Sequence, residues 1–156
     1  MTVILVEGES DRVTVEALLE RLGASAEVIP MGGATNVRKF AAQHPGAIGL
    51  CDVGEERFFA TVLERWFVCE PDLEGELIRA LGVEGVEAVL AEQGELASFR
   101  RLQQMPDQRG RTAEQQLSRF FGGRSGNKAR YAPLLLAALR DERVPAPLLA
   151  LASATR

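Results

Sequence analysis

Two carboxylates follow the first apolar run of the chain. Val3 to Val6 has the short, β-branched character of a buried strand, and Glu7 and Asp11 come directly after it, where a segment with helical spacing begins. In open α/β sheets, ligands bind in the crevice beyond the carboxyl ends of the strands. Carboxylate oxygens at such an edge suit a hard cation, Mg²⁺ or Mn²⁺. We therefore predict a cation site at the end of the first strand.

Further acidic residues follow the third and fourth apolar runs. Asp52 ends the third run, and Glu70 to Glu74 follow the fourth. Because parallel strands bring their carboxyl ends to one edge of a sheet, these residues are expected to lie near Glu7 and Asp11. Crowded carboxylates repel one another and raise each other's pKa unless a cation neutralises them. Two divalent ions on such a cluster provide a known route to phosphodiester cleavage.

Some of these acids also have a purely structural interpretation. Asp11 and Asp72 are good N-caps, and Glu74 in a first helical turn favours the helix dipole. Glu7 and Asp52 are harder to explain in this way, because a carboxylate that ends an apolar strand adds nothing to packing. Both interpretations remain open from the sequence.

The elements that must position these acids alternate over the first half of the chain. Runs typical of strands lie at 2–6, 26–31, 47–51 and 66–69, with segments of helical spacing between them. This alternation predicts an α/β, Rossmann-like fold with a mainly parallel sheet flanked by helices.

After Gly82 the strand signal ends, and the second half is predicted to be helical. Helices are expected at about 83–93, 95–104, 112–121 and 131–141, with Pro133 either beginning the last one or bending a helix that begins near Asn127. We expect a single domain in which residues 1–96 form the α/β core and residues 97–156 form a basic helical extension packed on it.

Composition excludes several classes of site. Cys51 and Cys69 form no CxxC pair, and His44 is the single histidine, so a zinc site or a Ser-His-Asp triad is poorly supported. The 156 residues contain no long apolar stretch and no basic leader. We expect a soluble, cytoplasmic protein without a membrane partner.

The net charge of −4 conceals two halves of opposite sign. Residues 1–96 contain 7 Lys and Arg against 18 Asp and Glu, whereas residues 97–143 contain 10 against 4. A metal site that faces a phosphate polymer needs such a division. Arginines on the solvated faces of long helices are the alternative explanation.

The order and spacing of several motifs resemble the Toprim domain superfamily. Within it, the chain is most similar to the nuclease domain of the overcoming-lysogenization-defect (OLD) family of ATP-dependent endonucleases. The likeness covers most of the chain and depends on VEGESD at Val6 to Asp11, GGATN at Gly32 to Asn36, PDLEGEL at Pro71 to Leu77, and GNKARYAPLLLAAL at Gly126 to Leu139.

This resemblance implies cleavage or nicking of DNA with Mg²⁺ or Mn²⁺. It implies that Glu7 is a catalytic or metal-binding glutamate, that Asp11 and Asp52 are metal ligands, that Glu74 serves a second metal, and that Lys128 lies near the scissile phosphate. Together with Lys128, Arg124 and Arg130 are expected to contact the nucleic acid.

The chain departs from the superfamily after the third strand. Where Asp-x-Asp is usual, it has Asp52-Val53-Gly54, and Glu55 or Glu56 is expected to compensate for the missing acid. OLD-type proteins also carry an ATPase ahead of this domain, but no GxxxxGK[ST] loop occurs here. We therefore expect the domain to work alone or with a separate ATPase subunit, and a homo-oligomer remains open.

Two other functions compete with the nuclease hypothesis. The missing aspartate favours a Toprim-like module that has lost catalysis and binds nucleic acid or a protein. A receiver-like phosphoacceptor domain would use Asp52 for phosphorylation with magnesium, but it normally needs a lysine after a fifth strand, and the second half of this chain reads as helical.

Overall fold

A computed structural model describes residues 1–123 and 126–156 of the chain. Within these residues, four strands form one parallel sheet with the order β2-β1-β3-β4. The strands are β1 (Val3–Val6), β2 (Glu27–Pro30), β3 (Ile48–Asp52) and β4 (Trp66–Cys69). The predicted parallel α/β sheet is confirmed.

Helices cover the sheet and form the second half of the chain. They are α1 (Glu9–Arg21), α2 (Val37–Gln43), α3 (Glu56–Ala60), α4 (Leu73–Leu81), α5 (Val83–Glu92), α6 (Leu96–Gln103), α7 (Ala113–Gly122), α8 (Asn127–Ala138) and α9 (Ala146–Ser153). Pro133 lies inside α8, so the alternative in which this helix begins near Asn127 is the correct one. In the described part of the chain, none of these helices has the length and hydrophobicity to cross a lipid bilayer.

The two faces of the sheet belong to different hydrophobic clusters. Ile4 and Val6 of β1 pack into a larger cluster with residues of α1 and α4 to α9, whereas Leu5 points into a smaller cluster with residues of α2 and α3. Successive residues of a strand point to opposite faces, which explains this division. Helix α8 packs against α1 and α4 and contributes Tyr131, which is fully buried. The larger cluster therefore joins the sheet to the C-terminal helices.

Close packing at β3 depends on a glycine. A Cβ on Gly49 would lie 2.5 Å from Phe59 Cδ2 and 2.7 Å from Leu63 Cδ1. Since a buried aromatic ring cannot move aside freely, we expect Gly49→Ala to lower the free energy of unfolding by about 2 kcal/mol. The control is Gly54→Ala, whose Cβ would meet no heavy atom within 4 Å. Urea unfolding measures both, and equal stability of the two variants would contradict the prediction.

Candidate metal centre

The connection between β1 and α1 brings Asp11 back to the end of the strand. Gly8 is the N-cap of α1 and has an extended backbone. Its amide N–H donates a hydrogen bond to Asp11 Oδ2 at 3.2 Å. Asp11 is therefore the third residue of the helix and not its N-cap. The helix geometry fixes its carboxylate close to Glu7, the residue that follows β1.

The GGATN motif holds the backbone of Glu7 from the neighbouring strand end. Gly33 N–H donates to the Glu7 carbonyl oxygen at 3.0 Å, and Asn36 Nδ2 donates to the Met31 carbonyl oxygen at 2.9 Å. Gly33 has a φ of 138°, which other residues rarely adopt. The motif is thus a turn that fixes the position of Glu7.

Asp52 and Glu74 come from the ends of β3 and β4. Asp52 is the last residue of β3 and is paired in register with Cys69, the last residue of β4. Helix α4 then begins behind Asp72, whose Oδ1 accepts a hydrogen bond from Gly75 N–H at 2.7 Å. Asp72 is the N-cap that the structural interpretation predicted. Glu74 follows in the first turn and is only 5% exposed.

These acids surround one cavity of about 180 Å³ at the carboxyl edge of the sheet, which we call the carboxylate cavity. Lys128, from the first turn of α8, closes one side, and its Nζ lies 4.0 Å from Glu74 Oε2. The other carboxylate oxygen of Glu74 is buried and has no hydrogen-bond partner among the described residues. The lining residues are Glu7, Gly8, Ser10, Asp11, Asp52, Glu74 and Lys128.

Three of the carboxyl groups have raised pKa values. Burial is the largest cause for each of them. It raises the pKa of Asp11 to about 6, with the Glu7 charge adding to the effect, and that of Asp52 to about 7, with Asp11 adding to it. Burial raises the pKa of Glu74 to about 7, although the Lys128 charge opposes the shift. The cavity therefore disfavours its own negative charge, which a cation would relieve.

The donor set fits a hard divalent cation. All of the acidic side chains offer oxygen, the ligand that Mg²⁺ and Mn²⁺ prefer, and the buried oxygen of Glu74 lacks a partner. Among the described residues, no three acidic, histidine or cysteine side chains are already arranged around one point as metal ligands. Since Mg²⁺ usually keeps several waters and binds one or two carboxylates, this arrangement is compatible with it.

The other predicted site residues lie elsewhere. Glu55 ends the short 3-10 turn Val53–Glu55 and does not line the carboxylate cavity. Arg130 pairs with Glu95 Oε1 at 2.6 Å and donates to Gln93 Oε1 at 3.0 Å, so its guanidinium group is held by the α5–α6 connection. Arg124 lies outside the described residues.

Sequence reasoning did not single out Ser10 as a site residue. Its side chain lines the cavity between Glu7 and Asp11. Its position beside Asp11 in the VEGESD motif was the available signal, although the motif alone does not separate it from Glu9, which pairs with Arg12 and does not line the cavity.

Comparisons with known proteins agree with this geometry. Residues 1–43, which contain Glu7, Asp11 and the GGATN turn, match the family model described as overcoming lysogenization defect protein-like, TOPRIM domain. A search of curated protein sequences finds no match. The fold matches the C-terminal region of the Xanthomonas campestris pv. campestris OLD protein phased with platinum, with a TM-score of 0.69, 22% identity, and coverage of 99% of this chain and 91% of that one.

A second solved structure gives the same result. The C-terminal region of the Burkholderia pseudomallei OLD protein matches with a TM-score of 0.61 and 18% identity, covering 99% of this chain and 98% of that one. The chain thus has the fold of the C-terminal regions of OLD proteins, and its first 43 residues match an OLD-like Toprim model. The predicted resemblance and fold class are thus confirmed, and the likeness includes the helices that follow the sheet.

The chain has room for an acidic side chain at Gly54, where the superfamily pattern has an aspartate. A Cβ on Gly54 would meet no heavy atom within 4 Å, and the backbone there has no positive φ. Sterics therefore do not explain why glycine replaces the second aspartate of Asp-x-Asp. The carboxylate cavity instead relies on Glu7, Asp11, Asp52 and Glu74.

Proposed function

We propose that this protein is a metal-dependent DNA nuclease or nickase that hydrolyses phosphodiester bonds with Mg²⁺ or Mn²⁺. One observation carries the proposal: four carboxylates from three strand ends and one lysine line a single cavity at the carboxyl edge of the sheet. OLD-type Toprim domains act on DNA, which supports DNA as the substrate. A separate ATPase subunit and a homo-oligomer remain predictions.

The carboxylates would hold the metal in this cavity. Glu7, Asp11 and Asp52 would provide ligands for one ion, and Glu74, with its unpartnered oxygen, would serve a second. When bound, divalent ions polarise the phosphoryl oxygen and promote ionisation of water. Glu7 follows β1 and Asp52 ends β3, while Asp11 and Glu74 lie in the first turns of α1 and α4. The fold therefore holds the four side chains in place before the substrate arrives.

Lys128 supplies the positive charge that the chain itself contributes. Its side chain is about half exposed, and its ammonium group lies 4.0 Å from Glu74 at the edge of the cavity. From this position it can donate hydrogen bonds to phosphate oxygens and balance charge as water bonds to phosphorus and the bond to the leaving oxygen breaks. The leaving oxygen takes up a proton as the reaction ends.

Supercoiled plasmid DNA provides the direct test. We expect purified protein to convert it to nicked or linear forms with Mg²⁺ or Mn²⁺, and we expect EDTA to stop the reaction, because the carboxylates would then lack their cation. Gel electrophoresis over a range of protein concentrations measures the conversion. Intact plasmid with both ions at every concentration would refute the proposal.

A second candidate function is a module that binds nucleic acid or a protein without cleaving DNA. Gly54 favours it, because the absent aspartate removes one possible ligand, and the described side chains form no ready group of three ligands. Such a module would release little heat when titrated with Mg²⁺ and would bind DNA with a strong dependence on salt. Calorimetry beside the plasmid assay therefore separates the two functions.

A further inference from the structure

A second cavity, which we call the arginine cavity, opens beside the end of α7. It has a volume of about 270 Å³ and lies between α6, the 3-10 turn Pro106–Gln108 and α7. Its lining residues include two arginines, a serine and a phenylalanine: Arg101, Arg119, Ser98 and Phe120. A phosphate joined to a sugar or base offers both a charged part and an apolar part to such walls.

The two arginines of this cavity are available to a ligand. Neither forms an ion pair with a carboxylate of the described residues, and Arg101 Nη2 donates to Ser98 Oγ at 2.9 Å. Asp107 also lines the cavity, and its Oδ2 accepts a hydrogen bond from Gln108 Nε2 at 3.4 Å. Two positive charges thus face one negative charge, which leaves the cavity attractive to an anion.

Two exposed glycines connect the arginine cavity to the metal centre. Gly123 lines the arginine cavity, and Gly122 lines a groove that shares Ser10 and Lys128 with the carboxylate cavity. A Cβ on Gly122 would lie 3.9 Å from Lys128 Cε, and one on Gly123 would lie 3.2 Å from Arg119 Nη1. Lys128 and Arg119 therefore lie on either side of this glycine pair.

The separation across the glycine pair suits a short length of nucleic acid. Adjacent Cα atoms are about 3.8 Å apart, and Lys128 Cε and Arg119 Nη1 each lie close to a glycine of the pair, so these two atoms are at most on the order of 15 Å apart. A strand would need only a few nucleotides to reach from one cationic group to the other. Among the described residues, the glycine pair itself places no side chain on the surface between the two cavities.

We propose that the arginine cavity binds the phosphate backbone of the nucleic-acid strand a few nucleotides from the bond that is cut. The inference rests on the proposed nuclease function, because the cut bond is placed at the carboxylate cavity. A guanidinium group binds phosphate through two parallel N–H donors, so Arg101 and Arg119 position the strand without reading its sequence. Phe120 provides an apolar wall for the sugar or base.

Binding in EDTA tests this subsite without cleavage. The probe is a fluorescein-labelled single strand of about 12 nucleotides in about 50 mM salt, followed by fluorescence anisotropy. We expect R101Q/R119Q to bind about tenfold more weakly than the unmodified protein. The slope of log K against log salt concentration should also become shallower by about 1.4, since each phosphate contact with a single strand contributes about 0.7 to this slope.

Two further variants make the comparison specific. R38Q/K39Q removes the same charge from α2, on the other face of the sheet, and is expected to bind within about twofold of the unmodified protein. R101K/R119K keeps the two positive charges but loses the planar guanidinium groups with their paired N–H donors. We therefore expect it to have the salt dependence of the unmodified protein but only part of its affinity. Thermal unfolding verifies that all variants are folded.

Several outcomes would overturn the inference. Equal DNA affinities of R101Q/R119Q and R38Q/K39Q would do so, as would absence of binding by the unmodified protein. Displacement of the DNA by polyglutamate at matched charge concentration would assign the cavity to an acidic protein segment instead.

A separate assay distinguishes failure of the subsite from failure of the proposed function. Bis(p-nitrophenyl) phosphate is too small to reach from the carboxylate cavity to the arginine cavity. Hydrolysis of this ester by the unmodified protein with Mn²⁺, combined with equal DNA affinities, would refute the subsite alone. No hydrolysis, combined with the expected loss of affinity, would refute the nuclease and leave the arginine cavity as a nucleic-acid site.

Discussion

Glu7→Gln is expected to lower the rate of metal-dependent DNA cleavage by about 10²- to 10³-fold, the usual cost of losing one preorganised electrostatic group. Glutamine keeps the size of the side chain but removes the charge that would hold the cation. Because Gly33 N–H fixes the Glu7 backbone, the variant side chain should occupy the same place. Initial rates of plasmid nicking with Mn²⁺ measure the effect.

Glu20→Gln is the matched control for Glu7→Gln. Glu20 is exposed near the other end of α1 and does not line the carboxylate cavity. The control removes the same charge from the molecule and is expected to cleave within about twofold of the unmodified rate, because long-range charge effects are screened. If both variants cleave equally well, Glu7 has no role in the reaction.

The metal-free protein is expected to become less stable as the pH rises from about 5 to 8. Asp11, Asp52 and Glu74 have native pKa values of about 6, 7 and 7, above their ordinary values of 3.8, 3.8 and 4.5. At pH values between the ordinary pKa values of the unfolded state and the raised pKa values of the native state, the native state binds more protons. The free energy of unfolding therefore falls as the pH rises. Mn²⁺ should restore stability at pH 8 and have little effect at pH 5.

Glu74→Gln tests the part of this effect that comes from the most deeply buried of the three carboxyl groups. Glu74 is almost fully buried, and one pKa unit corresponds to about 1.4 kcal/mol, so we expect the variant to gain about 2 kcal/mol at pH 8 in EDTA. This gain would raise the Tm by about 4–8 °C for a chain of this size. The variant should also lose most of the stabilisation by Mn²⁺.

Glu84→Gln provides the comparison for Glu74→Gln. Glu84 is exposed in the first turn of α5, and its replacement is expected to leave the pH dependence unchanged. Differential scanning calorimetry at pH 5 and pH 8, each with EDTA or with Mn²⁺, gives four Tm values for each protein. A Tm of the metal-free protein that does not fall between these pH values would contradict the raised carboxyl pKa values.

The sheet and its acidic edge could be predicted because their signals are local. The apolar runs before Glu7 and before Asp52 are short, and such runs alternating with helical spacing leave few arrangements other than a parallel sheet. A parallel sheet places its strand ends together, so the convergence of Glu7, Asp11 and Asp52 followed from topology. The N-cap role of Asp72 was equally local.

The roles of individual basic residues could not be read from the sequence in the same way. Lys128 and Arg130 are two residues apart, yet Lys128 reaches the carboxylate cavity while Arg130 pairs with Glu95. A helix turns by about 100° per residue, so which of the two faces the site depends on how α8 is rotated against α1 and α4. Arg101 and Arg119 meet in one cavity for a similar reason, because α6 and α7 pack side by side.

The sequence by itself determined the fold class, the acidic edge of the sheet and the oxygen-only chemistry of the candidate metal centre. These features depend on residue types and on periods of two and 3.6 residues, which the order of residues contains in full. Only the tertiary structure decided that Lys128 closes the carboxylate cavity and that an arginine cavity lies beyond Gly122 and Gly123. It also decided that a buried oxygen of Glu74 has no hydrogen-bond partner in the part of the chain that is described. Periodicity states which face of a helix is buried, but the neighbour that covers this face is chosen by the fit of side chains across the whole core.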